Sequence, residues 1–143
     1  MNIRSLQIED LANQFCDQTL PKERWNHEGH LIVGMWHLFN FPFDNAVDIL
    51  RKRIIDYNDS LGTINSDDSG YHETLTLFWM ITLKNFIMQY PHHSLEEVCH
   101  LFLDSAMASK AYPLQFYSKV ILMSRKARRT WVDGDIKTVA ILP

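Results

Sequence analysis

The sequence predicts an all-α fold, a single-domain antiparallel helical bundle of five to six helices that ends in an irregular C-terminal segment. Three observations predict it. Apolar residues recur at helical spacing over most of the chain. Helix-starting and helix-stopping residues punctuate those stretches at short intervals. No stretch shows the apolar–polar alternation that a half-buried strand requires.

The first helix is expected over residues 5–17, with Leu6, Leu11, Phe15 and Cys16 near one face. The segment TLPKER breaks the pattern, and Pro21 is suited to open a single turn. The second helix is expected over 27–39 with Asn26 as its N-cap. Pro42 ends that segment, and Asp44 is the expected cap of a third helix over 45–60, which Gly62 is placed to stop. A polar loop, TINSDDS, precedes a fourth helix over 70–90 that ends at Pro91. Ser94 and Glu97 form a capping box for a fifth helix over 95–109. Beyond Pro113 the pattern is less regular, with Ser118 and Ser124 as candidate caps of short helices. Residues 132–143 read as an extended tail whose Val139, Ile141 and Leu142 can pack on the bundle or on a partner.

Short connections favour antiparallel neighbours. If the first five helices alternate in direction, the longer connections (18–25, 61–69 and 110–117) share one end of the bundle. Function tends to sit on such loops.

Composition narrows the function classes. A chain of 143 residues suits one domain with a continuous core, and 46% hydrophobic with 22% charged residues is ordinary for a globular protein. A net charge of −3 argues against nucleic acid as a partner, since the one basic run, SRKARR, is short. Cys16 and Cys99 match no C-x-x-C pattern and read as small core residues. The first residues lack the apolar core of a secretory signal, and no apolar run has the length of a membrane span. The expected compartment is a reducing cytoplasm.

Two stretches carry candidate chemistry. In RWNHEGHLIVGMWH, His27 and His30 lie three apart and share a helix face. In SDDSGYHETLTLFWM, His72 and Glu73 stand where a polar loop meets an apolar helix. In an alternating bundle both helices start at the same end. His27, His30 and His72 are therefore candidate ligands of a divalent metal (Zn, Fe, Ni or Mn), and Glu73 a further one. Glu73 and His72 are the candidate catalytic pair, Glu73 acting as a general base or as the acceptor that orients a ligand histidine. Trp25, Tyr57, Asn58, Tyr71, Thr76 and Arg128 are candidate ligand-binding residues. Each has a plainer role beside the chemical one. A histidine at a helix start caps it, Glu73 complements a helix dipole, Tyr57 and Asn58 terminate a helix, and Thr76 bonds its own backbone. Two helix N-termini also welcome an anion in place of a metal. His37 reads as a hydrogen-bonded core histidine, and Gly34 as a point of close helix approach.

With WNHEGHL, IIDYNDSLGTINSDDSGYHETLTLFW and FYSKVILMSRKARRTWVDGD in view, the chain resembles a family of small, mostly bacterial all-helical proteins of unknown function. That family carries Trp-Thr-His-x-x-His-Leu, Tyr-Asn and Gly-Tyr-His-Glu-Thr motifs. The resemblance implies that His27, His30, Tyr57, Asn58, Gly70, Tyr71, His72, Glu73, Thr74, Tyr117, Ser118 and Arg128 belong to one site; it implies no reaction. Asn26 stands where the family has Thr, and Gly134 where Pro is expected. A looser similarity of fold is to metal-binding four-helix bundles related to DNA-damage-inducible proteins and thiol transferases, whose His-x-x-x-His pair is missing here.

Three functions follow as expectations. The first is a metal-dependent enzyme acting by hydrolysis, elimination or isomerisation on a small polar molecule. The second is a non-catalytic module that binds a small ligand in the same pocket. The third is a structural protein that forms a homodimer through its tail and exposed aromatics.

Overall fold

In the computed structural model, which describes residues 4–142, all regular structure is helical. The helices are α1 (Ser5–Cys16), α2 (His27–Asn40), α3 (Phe43–Ser60), α4 (Glu73–Met88), α5 (Leu95–Leu103), α6 (Lys119–Leu122) and α7 (Arg125–Arg129). Single 3-10 turns lie at Lys22–Arg24, Ala106–Ala108 and Tyr112–Gln115. Among the described residues, no helix is long and apolar enough to cross a membrane.

Local chemistry sets most helix starts. The Asn26 side chain accepts the Gly29 N–H at 2.8 Å and opens α2. Ser94 and Glu97 exchange the two bonds of a capping box at α5. Ser118 and Ser124 cap α6 and α7. Three boundaries differ from expectation. α3 starts at Phe43 behind Pro42, so Asp44 lies in the first turn instead of at the cap. α4 starts only at Glu73, because Gly70 adopts φ +77° and His72 itself caps the helix. α5 stops at Leu103, and two 3-10 turns replace its expected last stretch.

α2 sits at the centre of the bundle and packs on α1, α3, α4 and α5. Its sequence explains this: Leu31, Ile32, Val33, Met35 and His37 are all buried, as a helix apolar on several sides requires. α1 turns Ile8, Leu11, Ala12 and Phe15 inward. These positions form an i, i+3, i+4, i+7 stripe from which Leu6 is displaced, so Leu6 is exposed, against expectation, and Cys16 is only half-buried. A second, smaller core lies on another face of α4, where Phe78 and Ile81 meet Phe116, Tyr117, Leu122 and Val139. Residues 131–142 are non-helical and follow α4. Asn85 Nδ2 donates to the Ala140 carbonyl and Lys84 Nζ to that of Leu142. Val139 is buried, whereas Ile141 and Leu142 remain exposed.

Candidate functional site

Residues 61–72 are held in place by a few polar groups. Asn65 is the hub. Its Oδ1 accepts from Asn58 Nδ2 and from the Tyr71 N–H, both at 3.0 Å, while its Nδ2 donates to Asp59. Gly70 passes so close that a Cβ there would lie 2.6 Å from Asn65 Oδ1 and from the Ile64 carbonyl oxygen. Together with φ +77°, this makes glycine the residue the turn needs. Arg128 reaches over from α7 and donates to the carbonyls of Gly70 and Tyr71 at 3.0 and 3.4 Å. Arg129 pairs with Asp67 and Arg125 with Asp68, so the basic run of α7 faces the acidic run of the loop.

The loop delivers His72 to the start of α4. Its Nδ1 accepts the Leu75 N–H at 3.1 Å, and its Nε2–H donates to the Leu122 carbonyl at 2.8 Å. Both ring nitrogens are thus engaged, and the histidine ties α4 to α6. Burial pushes its pKa down; the Leu122 carbonyl opposes this, and the charge of Arg128 adds to it. Next to it, the Glu73 carboxylate accepts a two-pronged bond from Arg51, at 2.8 and 2.7 Å, and a third from the Tyr71 hydroxyl at 2.5 Å. Burial raises the Glu73 pKa, but these three bonds outweigh it and the net shift is downward.

A cavity of about 630 Å³ opens beside these groups. Its walls come from each of the three long connections: Lys22 and Trp25, Leu61 and Thr63, Lys110 and Leu114. α2 supplies His27, His30, Leu31 and Gly34, and α4 supplies Leu75, Thr76, Trp79 and Met80. The floor is apolar, and Leu31, Met80 and Leu83 are almost wholly buried there.

His30 is the histidine that the cavity leaves available. Its ring lies 4.1 Å from that of Trp25 between centroids, and Trp25 in turn stacks on Phe15 at 4.5 Å. Neither ring nitrogen of His30 bonds to another described residue. Protein crowds one side of the ring, yet the residue as a whole is exposed and lines the cavity. Burial, then the neighbouring His27 and Lys110, lower its pKa to about 4. His27 lies on the same wall. Its Nε2–H donates to the Ala108 carbonyl at 2.8 Å, and its ring meets Trp79 edge-on at 5.2 Å.

Of the residues that the sequence singled out, Trp25, His27, His30, Asn58, Tyr71, His72 and Thr76 line the cavity. Thr76 also donates its hydroxyl to the His72 carbonyl within its own helix. Tyr57, Glu73 and Arg128 do not line it. Tyr57 is fully buried and donates to the Leu20 carbonyl at 2.7 Å, which anchors the connection after α1. Glu73 is held by Arg51 and Tyr71, and one Nη of Arg128 by the loop backbone, and neither residue reaches the cavity wall. The trio His27, His30 and His72 does not form one ligand set. Among the described residues, no three His, Cys, Asp or Glu side chains are placed to hold a metal ion, and His72 would first have to release both its partners. The donor set therefore does not fit the open three-histidine centre that the spacing suggests.

Several residues that matter were not visible as a pattern. Arg51 carries no motif, although its place one turn after Asp48 hints at a charged cluster on α3. Asn65 is one polar residue among many in its loop. Gly29 lies within NHEGH, and a Cβ there would come 2.5 Å from the Arg24 carbonyl oxygen, so the entry turn and α2 touch at this point. Lys22, Lys110 and Lys119 stand on three separate segments that only the fold brings together. Compared with family models, with curated proteins and with solved structures, the chain matches none.

Proposed function

We propose that this protein binds a small, largely apolar molecule in the cavity between the starts of α2 and α4, without a bound metal. The observation that carries this reading is a cavity of about 630 Å³ with an apolar floor, lined by His30, whose ring nitrogens bond no other described residue. Ligand sites of small molecules have this size and this mixture of apolar walls and few polar groups. Binding is favoured over turnover because both members of the expected catalytic pair, Glu73 and His72, are engaged in holding the fold.

The test uses a neutral fluorescent dye, N-phenyl-1-naphthylamine. It should bind saturably at one site, with energy transfer from Trp25 and Trp79 on the cavity wall. Thr76→Phe, which adds bulk on that wall, should weaken binding by at least about tenfold while unfolding stays cooperative. Absence of saturable binding, or equal binding by the variant, would overturn the reading.

A further inference from the structure

The cavity wall has a charge pattern opposite to that of the molecule. The chain holds 17 acidic and 14 basic residues. The wall holds Lys22, Lys110 and Lys119, and no aspartate or glutamate. None of the three lysines forms an ion pair with a described residue. All three are exposed, whereas Leu31, Met80 and Leu83 are buried on the floor. Polarity therefore changes along the depth of the cavity, from apolar inside to cationic at the mouth. Exposed Leu61, Leu114 and Met123 also line it and interrupt the lysines with apolar surface.

A neutral apolar ligand would need only the floor. A cationic one would meet three like charges and no counter-charge. A polar dianion would leave the floor unused. We infer that the ligand is an amphipathic anion, a single apolar chain or ring system that ends in a carboxylate or a similar acid group, bound with the apolar end inward and the acid among Lys22, Lys110 and Lys119. This inference rests on the binding function proposed above and adds the ligand class and its orientation. His30 lies within the electrostatic reach of Lys110, and on the same cavity wall its ring nitrogens bond no other described residue. Ammonium groups act as point charges on flexible stems, which suits an acid held at a solvent-facing mouth.

The experiment displaces N-phenyl-1-naphthylamine with decanoate, decanol and decylamine below their micellar concentrations. The three share a chain and differ in head group. Decanoate should compete at about tenfold lower concentration than decanol, the sum expected of several partly screened ion pairs, and decylamine should be the weakest. The advantage should shrink with added salt. A Lys22→Met/Lys110→Met/Lys119→Met variant should lose the advantage and keep its affinity for decanol. The same charge change made at Lys52, Lys126 and Lys137, which lie outside the cavity wall, should leave the advantage intact.

If the dye binds but decanol or decylamine competes as well as decanoate, the amphipathic-anion inference falls and the cavity reading survives. The same holds if the advantage of decanoate persists in the cavity variant or is lost in the control. If the dye does not bind, the cavity reading itself falls.

Discussion

His37 shows how one residue ties stability to pH. It is fully buried; its Nδ1–H donates to the Val33 carbonyl at 2.7 Å, and its Nε2 accepts from Arg53 at 2.9 Å. Burial lowers its pKa to about 4; the Val33 carbonyl opposes this and the Arg53 charge reinforces it. The unfolded chain has the ordinary value of 6.5 and so binds more protons at any pH between the two. Stability should therefore fall as pH drops from 6.5 towards 4, by roughly 3 kcal/mol from this residue alone. His30 and His72 are shifted in the same direction and add to the slope. Urea midpoints at pH 7 and pH 4.5 measure the effect, and His37→Gln should flatten the difference. Arg51 makes a second case. Arg51→Met leaves the partly buried Glu73 carboxylate without its main partner and should lower stability by about 1–3 kcal/mol. Because neither residue lines the cavity, dye affinity of the folded variant should be unchanged. A large loss of affinity at full stability would return Glu73 to the site.

At the scale of elements, the starts of α2, α5, α6 and α7 were legible and the loop between α3 and α4 was not. Capping is a local code: Asn26, Ser94, Ser118 and Ser124 each bond a backbone N–H three residues on, so the sequence displays both partners together. The loop depends on Arg128, which meets Gly70 across 58 positions of sequence, and no spacing rule reveals that contact. The same distinction explains Leu6. Apolar residues were visible in the first helix, but the face that turns inward was decided by packing on α2 and α3. Arg128→Ala removes the donor from the Gly70 and Tyr71 carbonyls and should speed amide hydrogen exchange over residues 61–72. Arg125→Ala breaks a pair 3.5 Å apart between side chains 69% and 74% exposed, and should change exchange and stability little.

The whole molecule joins two cores through α4. The bundle core uses Met80, Leu83 and Phe86, while Phe78 and Ile81 belong to the smaller core beneath the C-terminal segment. The grouping of three long connections at one end followed from helix alternation, and the cavity draws its wall from all three. The lysines at its mouth were not legible, because they lie at positions 22, 110 and 119 and share no periodicity. Val139 links the tail to α4, so Val139→Ala should cost about 1–2 kcal/mol. Thermal unfolding should show one transition at a lower midpoint; a separate early transition would mean that the smaller core melts on its own.

The cavity wall begins at Lys22 and ends at Met123, and His27 is fastened to a carbonyl 81 positions later. During synthesis, then, α2 emerges long before the segments that complete its surroundings. A nascent chain halted before α6 would carry Leu31, Leu75 and Trp79 on an incomplete wall and lack the Leu122 carbonyl that fixes His72. Such a product would leave apolar surface uncovered, which is the condition chaperones and proteases recognise. Only the finished chain would thus close the cavity wall.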